Sequence, residues 1–157
     1  MTKSTVGYWL MKSEPDCYSI YDLQNDGIEP WDGIRNYQVR NMMRDQMKVG
    51  DRALFYHSNS KNIGVVGTMK IVSEAYPDPT QFDPNSDHYD PKSDPGNPRW
   101  LLLDVAFESV FPRMVSLAEI KADPFFSDMP LIKKGNRLSV MPIQEKHFME
   151  ILKRGNG

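Results

Sequence analysis

Six of the chain's twelve prolines fall between residues 77 and 98, and their density decides where regular structure can lie. Proline has no backbone N–H and a fixed φ, so neither a helix nor a central strand runs through a stretch that carries one every few residues. Pro77, Pro79, Pro84, Pro91, Pro95 and Pro98 therefore separate two foldable parts. An irregular stretch this long is uncommon in a compact domain and often has a function. We read residues 75–99 as an ordered insertion crossing the surface of one domain, not as a linker between two. A chain of 157 residues is long enough to bury a single core.

On either side of the insertion, hydrophobic periodicity predicts short elements. Residues 6–12 are apolar almost throughout and read as a buried strand. Ser19 and Asp22 form a weak capping box for a short helix over 20–24, and Asn25-Asp26-Gly27 closes it. Asn36 caps a helix over about 37–47, with Val39, Met42, Met43 and Met47 on one face and Arg40 and Arg44 on another. Residues 52–57 and 63–74 make a hairpin, with Gly64 and Gly67 marking a bend, a bulge or a close backbone approach. Residues 100–111 give the longest strand, where Leu101, Leu103, Val105, Phe107 and Phe111 alternate onto one face. Ser116 and Glu119 cap a helix through Lys121 that stops near Pro124. A short strand over 137–141 precedes a final helix over about 144–154, which Gly155 ends. This order predicts an α+β fold with a mixed or mostly antiparallel sheet, bent enough to curl into a small barrel.

The single Cys17 excludes an internal disulfide framework and fits a reducing compartment. No apolar run approaches a membrane span, and no long apolar segment opens the chain. We expect an intracellular protein, cytoplasmic in a bacterium or nuclear in a eukaryotic cell. The net charge of −2 conceals a marked segregation. Residues 34–50 hold four bases against one acid, residues 130–157 six against two, and residues 74–98 six acids against Lys92. Such segregation can steer a polyanion to one face, or it can be solvated surface and nothing more.

The chemistry concentrates in Trp31-Asp32-Gly33-Ile34-Arg35-Asn36-Tyr37-Gln38-Val39-Arg40-Asn41. Proline and an Asp-Gly turn flank Trp31, so it reads as a loop tryptophan. Amides and two arginines follow at a helix start, where backbone N–H groups favour anions. A stacking surface, amides and positive charge together suit an aromatic ring carried on a phosphate chain. Ser13, Glu14, Asn36 and His57 are candidates for hydrogen bonds to a base edge, although Ser13 and Asn36 equally suit turn and cap roles. His57 can equally be a bonded strand-end residue. Arg35, Arg40, Arg44, Lys133, Lys134 and Arg137 are candidates for phosphate contacts, Arg137 foremost. No Gly-x-Ser-x-Gly elbow, phosphate loop or dinucleotide fingerprint is present. Asp87-His88-Tyr89-Asp90 lacks a second nearby histidine for a metal site, and Cys17 has no activating partner. We expect neither catalysis nor a cofactor nor a metal.

Tyr8-Trp9-Leu10-Met11-Lys12-Ser13-Glu14-Pro15 and the Trp31–Asn41 stretch resemble the motifs of the EVE domain. So do Phe55-Tyr56-His57-Ser58, Ala75-Tyr76-Pro77-Asp78 and Arg137-Leu138-Ser139-Val140. The match spans almost the whole chain in order. It implies a PUA-like small β-barrel flanked by helices, and binding of a modified base, chiefly modified cytosine in DNA, with RNA also proposed. The EVE domain is similar to the YTH domain, which reads a methylated adenine in RNA. That likeness implies a pocket formed by Lys12 and Ser13 at a strand end, Trp31 as first cage tryptophan and Asn36 as a polar wall. Trp100 falls one position from the second cage aromatic. The rival readings are an enzyme acting on a nucleotide or modified RNA, and a small-molecule sensor or protein-interaction module.

Overall fold

The computed structural model describes residues 6–157; residues 1–5, part of the opening segment considered above for a leader, lie outside the described residues. Among the described residues eight strands form in chain order: β1 (Tyr8–Ser13), β2 (Ile28–Pro30), β3 (Arg52–His57), β4 (Gly64–Ile71), β5 (Tyr76–Pro77), β6 (Leu101–Leu102), β7 (Asp104–Ser116) and β8 (Val140–Pro142). Four α-helices accompany them: α1 (Ile20–Asp26), α2 (Tyr37–Asp45), α3 (Leu117–Ala122) and α4 (Glu145–Asn156). Six strands pair in the order β2-β7-β4-β3-β1-β8, and β5 pairs with β6 separately. Only β1 and β3 run parallel; the other pairings are antiparallel. The result is an α+β fold around a curled, mixed six-stranded sheet, a half-barrel.

Both faces of the sheet are covered, which is why the first strand reads as apolar throughout rather than alternating. Trp9 and Met11 of β1, with Ala53 and Phe55 of β3, pack beside α1 and α2. Leu10, Leu54 and Tyr56 point the other way, toward Phe148 and Ile151 of α4. On α2, Val39, Met42 and Met43 bury the predicted helical face, and the Asn36 side chain accepts from the Val39 N–H at 3.0 Å. Ser19 caps α1 with the reciprocal Asp22 contact.

Three expectations fail for local reasons. The strand expected over 100–111 breaks at Leu103 into β6 and β7, and the alternation from Leu101 to Phe111 does not keep one face. Thr68 pairs with Ser109 and Met69 with Phe107, so Glu108 is an extra residue that shifts the phase. Val105 accordingly joins the cluster on the side of α1 and α2, whereas Phe111 joins the one on the side of α4. Gly155 does not end the last helix; it is buried inside it against the Phe111 ring, which leaves no room for a Cβ. The strand expected to open at Arg137 begins at Val140 instead, since Asn136 folds residues 136–138 into a local turn by accepting from the Leu138 N–H. Strand β2, too short for a periodic signal, was missed.

The proline-rich segment follows a fixed path. It contains β5, a 3₁₀ turn over Pro79–Phe82 and an isolated bridge between Asp94 and Asn97. Fully buried Gln81 ties its two ends: its amide donates to the Asp78 and Trp100 carbonyls and accepts from Ser93 Oγ and the Trp100 N–H, all within 2.6–3.0 Å.

Candidate nucleic-acid interface

The turn carrying Trp31 leaves the sheet edge at β2, where the Trp31 N–H donates to the Leu103 carbonyl at 2.8 Å, and ends at the Asn36 cap of α2. Asp78 holds it from the opposite side. This carboxylate is 0% exposed and accepts from the Gly33 N–H (2.8 Å), the Thr80 N–H (2.8 Å), Thr80 Oγ1 (2.6 Å) and Arg35 (3.2 Å). Burial pushes its pKa up, but these donors outweigh burial and hold the carboxyl below its ordinary value. Gly33 is required twice over: its φ is +82°, and a Cβ there would meet the His88 ring at 2.7 Å.

Against this turn lies a hollow of about 530 Å³, within the range of small-ligand sites, about 300–1,000 Å³. Its walls bring together Lys12, Ser13 and Glu14 from the end of β1, Tyr18 and Cys17 from the following turn, and Glu29, Trp31, Asp32 and Ile34. His88 from the proline-rich segment and Ser139 complete it. Trp31 is not the exposed loop residue its flanking sequence implies. It is 7% exposed, because one side packs edge-on against Phe55 with centroids 5.5 Å apart. It nonetheless borders the hollow.

The polar lining is rich in acceptors. Glu29 and Asp32 both have raised pKa values, from burial first and from nearby carboxylates second: Asp26, Asp32 and Asp104 beside Glu29, and Asp78 beside Asp32. Burial lowers the pKa of Lys12, whose ammonium sits 5.8 Å from the Tyr56 ring centroid. Ser13 Oγ donates to the Tyr18 carbonyl at 2.6 Å, and Glu14 accepts from Asn59 at 2.6 Å. Cys17 Sγ lies 3.6 Å from Glu14, whose hydrogen bond is the main cause of a raised thiol pKa.

Other candidates stand elsewhere. Asn36 caps α2 and faces a different cleft. His57 is buried and accepts from the Ile20 N–H through Nε2 at 3.1 Å; burial lowers its pKa, and it does not line the hollow. Trp100 packs on Tyr37 with centroids 4.7 Å apart and donates from Nε1 to Asp90 at 2.7 Å, so it forms no second wall opposite Trp31. Arg35 and Arg40 are turned inward. Arg35 binds Asp78, Thr80 and the His88 carbonyl, and Arg40 binds the Arg99 carbonyl and Asn41. Arg44 pairs with Asp45 on the surface. Lys133, Lys134 and Arg137 are exposed, on the segment that leads to Ser139 at the hollow's rim. The hollow itself is therefore not ringed by arginine. Glu29 and His88 were not among the base-edge candidates, because β2 is too short to give a periodic signal and His88 comes from an irregular segment whose path periodicity does not encode. Among the described residues no group of three or more His, Cys, Asp and Glu is placed to hold a metal, and no helix is long and apolar enough to cross a membrane.

Thymocyte nuclear protein 1 of Rattus norvegicus is 45% identical over 170 aligned residues, covering 96% of this chain and 74% of that protein. The crystal structure of the human THYN1 protein in complex with 5-methylcytosine-containing DNA superposes with a TM-score of 0.89 at 42% identity, covering 96% of this chain and 98% of that one. The YTH domain of the Zygosaccharomyces rouxii MRB1 protein, solved with N6-methyladenosine RNA, shares the fold at a TM-score of 0.55 and 15% identity, over 100% of this chain and 91% of that one. The EVE domain matches residues 7–154, and the chain belongs to that family.

Proposed function

We propose that this protein binds nucleic acid without chemistry and reads one modified base, a modified cytosine in DNA foremost, in the hollow beside Trp31. The observation that carries this reading is the pairing of the Trp31 indole with a wall of carboxylates. A flat base entering the hollow gains a packing surface from Trp31, Ile34 and Tyr18. Stacking on an aromatic side chain contributes about 1–3 kcal/mol per base. Glu29 and Asp32 then face its edge, and a carboxylate accepts from the exocyclic amine of cytosine. A methyl group adds only about 0.8 kcal/mol of burial, so discrimination rests on a close, dry fit. The complex of the human relative with methylated DNA supports this ligand class.

The target nucleotide reaches such a hollow from a single strand, or by leaving the duplex stack. Lys133, Lys134 and Arg137 beside the rim supply phosphate contacts, while Arg35 fixes the turn and Arg40 ties α2 to the Arg99 carbonyl. Cys17, a nucleophile type on the wall, is kept as its thiol by Glu14, which favours binding over covalent catalysis.

Fluorescence anisotropy with labelled oligonucleotides carrying cytosine or 5-methylcytosine, single- and double-stranded, tests the reading. Wild type is expected to prefer the modified strand, and Trp31→Ala to weaken that complex at least tenfold with the fold intact by circular dichroism. Equal affinity of wild type and variant for the modified strand would refute the pocket assignment.

A further inference from the structure

A second and larger hollow, about 790 Å³, lies between α2 and residues 130–142. Its floor is apolar, formed by Met42, Leu138 and Met141. Its helical wall carries amides: Gln38, Asn41 and Gln46 descend one side of α2 and its C-terminal turn, at spacings of three and five residues. Arg137 lines the facing wall, and no acidic residue lines the hollow. This contrasts with the carboxylate-lined hollow beside Trp31. Asn136 is occupied in holding the facing loop together, donating to the Pro130 carbonyl and accepting from the Leu138 N–H. Asn41 uses its oxygen for Arg40, which leaves its NH₂ group toward the hollow as a donor.

The two hollows meet at one ridge, Leu138-Ser139, which lines the second with its first residue and the first with its second. The ridge is anchored to the sheet: the Lys12 N–H donates to the Ser139 carbonyl at 2.8 Å, next to the pairing of β1 with β8. A strand whose modified base enters the first hollow therefore passes its neighbouring nucleotide over or alongside this ridge.

We propose that the second hollow is a subsite for the nucleotide adjacent to the modified one, and that it makes recognition depend on sequence context. This rests on the function proposed above and adds to it. The apolar floor suits the face of a base. Side-chain amides pair with base edges that present a donor and an acceptor together, as adenine does. Lys133, Lys134 and Arg137 neutralise the phosphate between the two nucleotides.

The test uses the full chain and labelled single-stranded oligonucleotides with one central 5-methylcytosine, varied over all four bases at each flanking position. Each strand is paired with an unmodified copy. Wild type is expected to show at least a fivefold spread of affinity across one flanking position. The exposed double variant Gln38→Ala/Gln46→Ala is expected to shrink that spread below twofold while keeping its preference for the modified strand. A modification preference with no flanking dependence, or a spread unchanged in the double variant, overturns the subsite and leaves the base-reading function standing. Absence of any modification preference in every context overturns both.

Discussion

Asp78→Ala measures how far the Trp31 turn depends on its buried carboxylate anchor. The substitution removes the acceptor of four hydrogen bonds and the partner of Arg35. Breaking a buried ion pair from one side costs about 3–5 kcal/mol. Arg35 is 22% exposed and keeps the His88 carbonyl, which discounts its share. The Gly33 and Thr80 N–H groups add about 1 kcal/mol or more if left unpaired. The expected loss is about 3 kcal/mol, or roughly 6–12 °C in Tm for a domain of this size. Urea unfolding followed by circular dichroism reads it directly. Because the donors hold the folded carboxyl below its ordinary value, its contribution is complete above the unfolded pKa of about 3.9 and is lost as pH falls through the folded value. Wild type should therefore lose stability faster than Asp78→Asn below about pH 4. A loss under about 1 kcal/mol for Asp78→Ala would show that water replaces the carboxylate, and that the Trp31 turn does not depend on it.

Gly155→Ala drives a methyl group into the Phe111 ring and should destabilise the protein by about 1–2 kcal/mol, despite the better helix propensity of alanine; an unchanged urea midpoint would contradict the packing. His57 is buried and its pKa is lowered by burial, so the unfolded imidazole takes up a proton first. Stability should fall as pH drops below about 6.5 and level off beneath the folded pKa, and His57→Gln, which keeps an acceptor for the Ile20 N–H, should flatten that slope in a Tm–pH series. Binding of the modified strand should weaken steeply with salt if Lys133, Lys134 and Arg137 meet phosphates, and Lys133→Ala/Lys134→Ala should reduce the slope.

The elements that periodicity controls were legible from the sequence. The strand at 52–57 and the Asn36-capped helix fall where apolar spacing and cap chemistry put them, because burial on one or two faces imposes that spacing. What escaped depends on contacts between distant segments. The phase shift at Glu108 shows only against its partner strand, and Gly155 looks like a helix stop until Phe111 is seen lying on it. The residue types of the Trp31 stretch point to binding chemistry there. Its surroundings differ from the expectation, since Arg35 and Arg40 carry charges that the sequence leaves free and the fold commits to Asp78 and the Arg99 carbonyl. Trp100 followed family spacing toward the hollow, yet Asp90 and Tyr37 hold it in another place. Side-chain direction is settled by these pairings, which no local pattern encodes.

The chain holds three tryptophans, so the indole N–H signals of a ¹⁵N-labelled sample report the site residue by residue. Trp9 donates to Asp51 at 2.9 Å and Trp100 to Asp90, both away from the hollow, so they serve as internal controls. Titration with a single-stranded oligonucleotide containing 5-methylcytosine should shift the Trp31 signal, leave Trp9 in place, and do so at lower concentration than the unmodified strand. Binding that moves Trp9 or Trp100 while Trp31 stays fixed would contradict the account at its centre.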